Sequence, residues 1–597
     1  MIIGGGVTKK AGRRRRYVLA ESSADESWLK RGAGPCFVIA GLLLAIIVIN
    51  PFREMLSQDD GFAYARSVRH LLATGKYRLD PWSAANMPVQ IYLAAGMSKL
   101  IGYSLSLLRC TTLALLAVGL GSFYALLRET SHKSDEASVL TLGLLASPLV
   151  LMLAFTFMSD VQFLGWFLLA LWLYVRGMRT KSAGIMLFGS LALGFAIGTR
   201  QFGIAVIGGL VLSWLLSGRE NRPPIRFMLA ALVIPLLAAA AQMYVGFRAP
   251  NFTQAFRLGE EHHFIARPIL ALLKEAFWRC IIISQYIGMS VLTALPLVLI
   301  PGKSSDKKRP GGRLLILILT ILFSAALIAG LSMTSLLTHS ARPAAQYRTL
   351  WEPLQLYWLL PTQLYTMPRV MRILDVCGIL GALTLVWTGL RCLQKLRASR
   401  QLSSTVTFLM GTYAGLLILH LTYTQLNDTY IVAFIPLGLL IIGERLRDYE
   451  PRKSAWVLSS VFSIILILLT GLWMRGEYSA QQATWTSADT LVHAGVQPDD
   501  IYSSDQWAAY HGAYDAWIAA GTPGFGIQPS GNPRIYDPLH DPFNAWMHER
   551  EEKADYRIVD SEEGPPPRGW QIVATRSYRS AQFEKRFVWT LTRSSTP

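Results

Sequence analysis

Apolar runs of near-spanning length recur from residue 35 to residue 473, separated by short polar breaks. A membrane span needs roughly 20 apolar residues. Spans are predicted near 35–49, 105–127, 137–157, 161–175, 183–197, 202–216, 227–245, 280–300, 314–333, 373–390, 406–424, 430–442 and 455–473, about thirteen in all. The first is short, so it is expected to tilt or to end in the interface. Beyond residue 473 the pattern changes. IYSS, DYRIVD, WQIVATRSY and RFVWTLTR alternate as strands do. Stretches at 485–493, 507–519 and 544–553 have helical spacing, and GTPGFGIQPSGNP is loop by composition. The expected organisation is a basic N-terminus (1–34), a transmembrane domain (35–474) and a small α/β domain (475–597).

Composition supports this division. Hydrophobic residues make up 52% of the 597 and charged residues 16%, against roughly 25% charged in soluble domains. Mean hydropathy is +0.34. The net charge of +19 would suggest nucleic acid in a soluble chain. Here Lys and Arg collect in short loops, the pattern that sets membrane orientation, and no nucleic-acid motif accompanies them. Threading the spans places the N-terminus, the loop with Arg128 and Lys133, RGMRTK, GRENRPPIR, GKSSDKKRPGGR, RCLQKLRASR and ERLRDYEPRK all on the cytoplasmic face. An odd span count then puts residues 475–597 outside. The 34-residue basic lead is too long for a signal peptide, so the first span is expected to be retained. Cys36, Cys110, Cys280, Cys377 and Cys392 lie in or beside apolar runs and form no disulfide or metal pattern.

Candidate chemistry lies in the outer loops, near 50–103, 248–279 and 338–372. Asp59 and Asp60 follow the first span directly. Adjacent carboxylates at a membrane face must be solvated, paired or used. They either cap the helix that DDGFAYARSVRHLLATG predicts or repel each other enough to make one a base near neutral pH. Asp160, in FMSDVQFLGW, sits in a connection of only a few residues; it caps the following span or lines a site. Arg200, in GTRQFG, separates two runs too short to span comfortably. It either snorkels to headgroups or grips a phosphate through its fork of donors, with Gln201 beside it. Gly198 and Gly203 would allow a bend there. His262 and His263, in EEHH, could hold a metal but lack the HExxH spacing. Arg342 and Arg348 face either an anionic headgroup or the lipid surface. Arg66, and Asp428 and Tyr430 in NDTY, are further cleft candidates.

Several segments, in this order, carry a resemblance. They are DDGFAYARSVRHLLATGKY, NMPVQIYLAAGMSKLIGYSLSLLR, FMSDVQFLGWFLLALWLYVRG, GFAIGTRQFG and NDTYIVAFIPLGLL. Together they resemble the membrane-embedded glycosyltransferases of the GT-C fold. The bacterial members of glycosyltransferase family 39, protein O-mannosyltransferase-like and aminoarabinose-transferase-like, are the most similar. The likeness covers residues 35–451 and is weaker in the tail, where GVQPDDIYSSDQWAAYHGAYDAWI is similar to unassigned members. One departure is Thr429, which stands where the family usually has Arg in an Asp-Arg-Tyr; donor contact would then fall to Arg342 or Arg348.

The resemblance implies a polytopic α-helical membrane protein with about 13 transmembrane helices and a small extracytoplasmic α/β domain, in the cell inner membrane. It implies transfer of a sugar from a polyprenyl-phosphate carrier to a hydroxyl on a glycan, lipid or protein, with inversion. Asp59 would be the base, Asp60 would orient the acceptor, Asp160 would line the cleft and Arg200 would sit near the phosphate. No cofactor is required, though a divalent cation is compatible. Three readings compete: a transporter or lipid-linked-sugar flippase, a surface-polysaccharide polymerase or ligase, and a non-catalytic scaffold for the tail. Transporters often carry internal repeats and mid-membrane charges. This chain shows no repeat, and its acids gather at one face.

Overall fold

Among the described residues, helices form where the apolar runs lie, because only internal hydrogen bonds can satisfy a backbone in lipid. The computed structural model describes residues 28–56, 60–80, 83, 86–130, 132–216, 224–248, 269–300, 303–304, 368–399, 404–422, 428–447, 449–512, 549–561, 564–580 and 583–594. The first ten helices are α1 (Trp28–Ile49), α2 (Gly61–Thr74), α3 (Pro88–Ile101), α4 (Leu105–Glu129), α5 (Ser134–Ala146), α6 (Pro148–Ala154), α7 (Ser159–Thr180), α8 (Ala183–Thr199), α9 (Ala205–Leu216) and α10 (Ile225–Arg248). Further helices among the described residues are Ile269–Ser290, Pro368–Ser399, Ser404–Thr422, Ile435–Leu446 and Lys453–His493. Among the described residues 6 helices are long and apolar enough to cross a membrane, or 8 if each bent pair is one span. Gly34–Ile49, Ala183–Thr199 and Gln201–Leu216 are shorter apolar helices. The chain is therefore a multi-pass membrane protein. The expected span at 314–333 lies outside the described residues.

Several spans depart from straight rods. The run at 137–157 is two helices, α5 and α6, meeting at 67°. Pro148 opens α6, and lacking an N–H it cannot continue α5. The run at 280–300 bends by 56° after Ser290. Its first helix begins at Ile269, so residues 269–279, expected as outer loop, are helical. The span expected at 430–442 opens as a 3-10 turn, Asp428–Phe434, before the helix Ile435–Leu446. The last span does not stop near residue 473. Lys453–His493 is one helix of 41 residues, and it crosses the expected 474/475 boundary unbroken.

Between α1 and α4 lie the two shorter helices, α2 and α3. The first turn of α2 is buried on all sides, through Phe62, Ala63, Tyr64 and Ala65, and Val68 and Leu71 are buried beyond it. Gly75 ends it in the left-handed region at φ +68°, where glycine is favoured, and its N–H reaches Leu71 O. Pro88 opens α3 at a position with no helical donor to lose.

The tail forms a four-stranded sheet from β1 (Ile501–Tyr502), β2 (Tyr556–Asp560), β3 (Trp570–Arg579) and β4 (Lys585–Arg593), in the order β1-β2-β4-β3. The first pair is parallel and the other two are antiparallel. Each of the four expected strand segments contains a strand, though of IYSS only Ile501–Tyr502 is one. Of the expected helices, 485–493 is the end of the long helix, 507–519 is represented by Asp505–Tyr510, and residues 549–553 are helical.

Candidate active site

Three interruptions of regular helix converge at one end of the bundle: the head of α2, the head of α7 and the junction between α8 and α9. Asp60 occupies the N-cap position of α2, but its side chain makes no capping hydrogen bond. Asp160 lies in the first turn of α7, with its side chain only 1% exposed. Arg200 ends α8 in extended backbone, φ −149° and ψ 134°.

Arg200 does not snorkel. Its Nη2 meets Asp160 Oδ2 at 3.0 Å and its Nε donates to Ser159 Oγ at 2.8 Å. The guanidinium lies 4.6 Å from the centre of the Tyr430 ring, within cation–π range. The tight turn after Arg200 permits this. Gly203 N–H reaches Arg200 O at 3.2 Å, and a Cβ at Gly203 would come within 2.9 Å of Ile197 Cγ1. Tyr64, buried on α2, lies in the field of Asp60, Arg200, Asp160 and Tyr430 together. Burial first, then the Asp60 charge, push its phenol well up, so it keeps its proton and can donate.

A second layer stands behind Arg200. Phe202 stacks on His420 at 4.3 Å and lies 5.4 Å from Tyr430. Arg279, only 2% exposed, donates to His420 O at 3.0 Å. Two guanidiniums thus approach the same wall from different helices, one of them paired to Asp160.

The segment leading to Asp60 is gripped from α4. Arg109 is buried, and its guanidinium donates to the carbonyls of Pro51, Arg53 and Met55, the last at 2.7 Å. Glu54 in the same segment accepts from Leu105 N at 2.9 Å and Ser106 N at 3.2 Å, a carboxylate at a helix N-terminus.

Asp60, Asp160, Arg200 and Tyr430 come together. Gln201 opens the 3-10 turn after Arg200 and is exposed. Arg66 pairs through Nε with Asp80 at 3.2 Å, and its Nη1 donates to Ala509 O at 3.0 Å. Asp428 heads the 3-10 turn that carries Tyr430. Asp59, His262, His263, Arg342 and Arg348 lie outside the described residues.

Sequence reasoning passed over Tyr64, Arg109, Ser159 and Arg279. Arg109 could have been noticed as a lone charge inside an apolar run, a signal of burial with partners. Arg279 was hidden by assigning its segment to a loop. Tyr64 and Ser159 carry no signal beyond their closeness to the acids.

No family model matches the chain, and no curated protein matches it. Among solved structures it is similar to ArnT from Cupriavidus metallidurans bound to undecaprenyl phosphate, with 15% identity, 93% of this chain and 97% of that chain covered, and a TM-score of 0.38. It is also similar to the archaeal oligosaccharyltransferase AglB from Archaeoglobus fulgidus in complex with an inhibitory peptide and a dolichol-phosphate. There the identity is 12%, the coverage 90% and 70%, and the TM-score 0.39.

Proposed function

We propose that the chain is a glycosyltransferase that moves a sugar from a polyprenyl-phosphate carrier to an acceptor hydroxyl at the outer face of the membrane. The observation that carries this reading is the meeting of Asp60, Asp160 and Arg200 at one end of the bundle. Carboxylates of separate helices and a guanidinium face one region. A carrier with a lipid tail and a polar head suits such a place: the tail stays in lipid and the sugar meets the polar groups.

In this reading the acceptor oxygen attacks the anomeric carbon opposite the phosphate, inverting that centre. Asp59 takes the hydroxyl proton. The bond from carbon to phosphate oxygen breaks, and the electron pair leaves on the phosphate. Asp60 orients the acceptor, and Asp160 lines the cleft and fixes Arg200. Arg200, with Gln201, Arg342 and Arg348, offers positive charge and donors to the departing phosphate. Tyr64 and Tyr430 add hydroxyl groups beside the carboxylates. No redox group or nucleotide site enters the scheme.

The test compares the purified protein with Asp59→Asn in lipid, reading release of polyprenyl phosphate from a panel of polyprenyl-phosphate sugars with envelope acceptors. Base catalysis contributes roughly 100- to 10,000-fold, so the variant should lose turnover by about that factor. Equal release by a folded Asp59→Asn protein would remove Asp59 as the base. Failure of the wild type with every donor would count against the transferase itself.

A further inference from the structure

A helix that stops inside a bundle releases carbonyls that no water can reach. Each must find a donor or cost free energy. The two breaks that carry Asp160 and Arg200 release such carbonyls, and in both a buried glutamine from a neighbouring helix supplies the donor.

Ahead of Asp160 the chain leaves α6 and runs through residues 155–158 before α7 begins. Gln90, in the first turn of α3 and wholly buried, donates its Nε2 to Phe157 O at 2.8 Å. The Phe155 carbonyl in the same break accepts from Tyr478 Oη at 2.9 Å. At the end of α8, Arg200 N–H reaches Ala196 O at 2.8 Å. The next carbonyl, Ile197 O, accepts from Gln242 Nε2 on α10 at 2.9 Å. The same Nε2 reaches Asn86 O at 3.2 Å, just ahead of α3. The head of α3 also touches the second break directly, since a Cβ at Gly198 would come within 2.5 Å of Val89 Cγ2.

The amide oxygens are informative. Among the described residues, Oε1 of Gln90 and Oε1 of Gln242 are buried and have no hydrogen-bond partner. A buried polar atom without a partner costs free energy. An apolar residue of the same length would avoid that cost. What glutamine adds at both sites is the donor to a broken-helix carbonyl three residues before a charged group of the cleft.

We infer that Gln90 and Gln242 are positioning residues, which hold the Asp160 and Arg200 breaks in register so that the ion pair faces the cleft. The inference rests on the transferase reading for its catalytic consequence and on geometry alone for the bracing. Neither glutamine touches substrate in it.

The experiment replaces each with methionine, of similar length but without the amide, giving Gln90→Met and Gln242→Met in the full chain in lipid. Gln162→Met is the control. Gln162 is a buried glutamine on α7 whose Nε2 reaches the Thr112 hydroxyl at 3.0 Å rather than a carbonyl at a break. Two readouts are taken. Hydrogen exchange should rise at 155–161 in Gln90→Met and at 196–203 in Gln242→Met, with α10 itself and α4 unchanged. In sugar transfer, kcat should fall about tenfold, the effect of roughly 1.4 kcal/mol in the transition state, while KM for the polyprenyl-phosphate sugar stays within about twofold. Gln162→Met should show neither change.

Unchanged exchange at both breaks in folded variants would overturn the bracing. Raised exchange with an unchanged kcat would overturn its role in the reaction. If the wild type transfers from no donor while exchange still rises at the two breaks, the transferase reading fails and the bracing stands.

Discussion

Arg200 and Asp160 form a pair that neither residue could afford alone. Their side chains are 10% and 1% exposed. Removing one partner of such a pair leaves an uncompensated buried charge, typically at a cost of about 3–5 kcal/mol. Arg200→Met should therefore lower the unfolding midpoint in detergent markedly, and Asp160→Asn combined with Arg200→Met should recover much of the loss. A single variant as stable as the wild type would show that the pair is solvated. Arg200→Lys should not substitute. An ammonium is a point donor, whereas the guanidinium reaches Ser159 Oγ through Nε and Asp160 Oδ2 through Nη2. The sequence exposed Asp160 and Arg200 as isolated polar residues between apolar runs. It could not show that they are each other's partners, because 40 residues separate them and only the packing of α7 on α8 closes that distance.

Helix crossings position these residues. α4 and α7 cross closely at Gly119 and Gly165. A Cβ on Gly165 would come within 2.4 Å of Leu115 O, and one on Gly119 within 3.1 Å of Gly165 Cα. Backbone cannot yield as a flexible side chain can, so Gly165→Ala should push the helices apart. The expected cost is about 1–3 kcal/mol, read by chemical unfolding; a neutral result would mean the crossing is looser than these contacts imply. In the tail sheet, Asp560 on β2 accepts from Tyr578 Oη at 2.5 Å. Burial pushes its carboxyl above the ordinary 3.8, only partly offset by Tyr578 and Arg586. A carboxyl raised in the folded state contributes stability that is complete below its unfolded value and is lost as pH rises through the folded one. Exchange protection of β2 and β3 should therefore strengthen as pH falls from neutrality toward that window. Asp560→Asn should remove the trend, and a trend unchanged in that variant would assign it to another group. The apolar pattern located nearly every helix. It missed the bends, because a run of Leu and Ala reads the same on either side of a break; at 147–148 only Pro148 marks it.

Across the molecule, the 41-residue helix Lys453–His493 links the membrane bundle to the tail without a hinge. The tail returns to touch the membrane part at α2. Arg66 donates to Ala509 O, Arg69 lies 5.1 Å from the Tyr510 ring centre, and the Tyr103 and Tyr510 hydroxyls are 3.1 Å apart. The helix headed by Asp60 is thus held by the tail as well as by its neighbours. Arg66→Met removes the guanidinium from both Ala509 and Asp80. Limited proteolysis should then cut faster within 500–512, with cleavage elsewhere unchanged. Equal rates would show that the aromatic contacts at Tyr510 suffice.

By itself the sequence determined that this is a multi-pass helical membrane protein with a small sheet-containing tail. That followed from the length of the apolar runs and from their replacement by short alternating ones, both local properties of the chain. It also marked Asp60, Asp160 and Arg200 as charged groups at the membrane face and Tyr430 as a cleft candidate. Tertiary structure alone decided that these four meet, that Arg66 belongs to the tail contact, and that Arg109, Gln90, Gln242 and Arg279 serve the same region. The physical reason is the same in each case. A buried donor is defined by the acceptor it reaches, and here those acceptors, carboxylates and backbone carbonyls at breaks and in connecting segments, lie far away along the chain, where no local pattern records them.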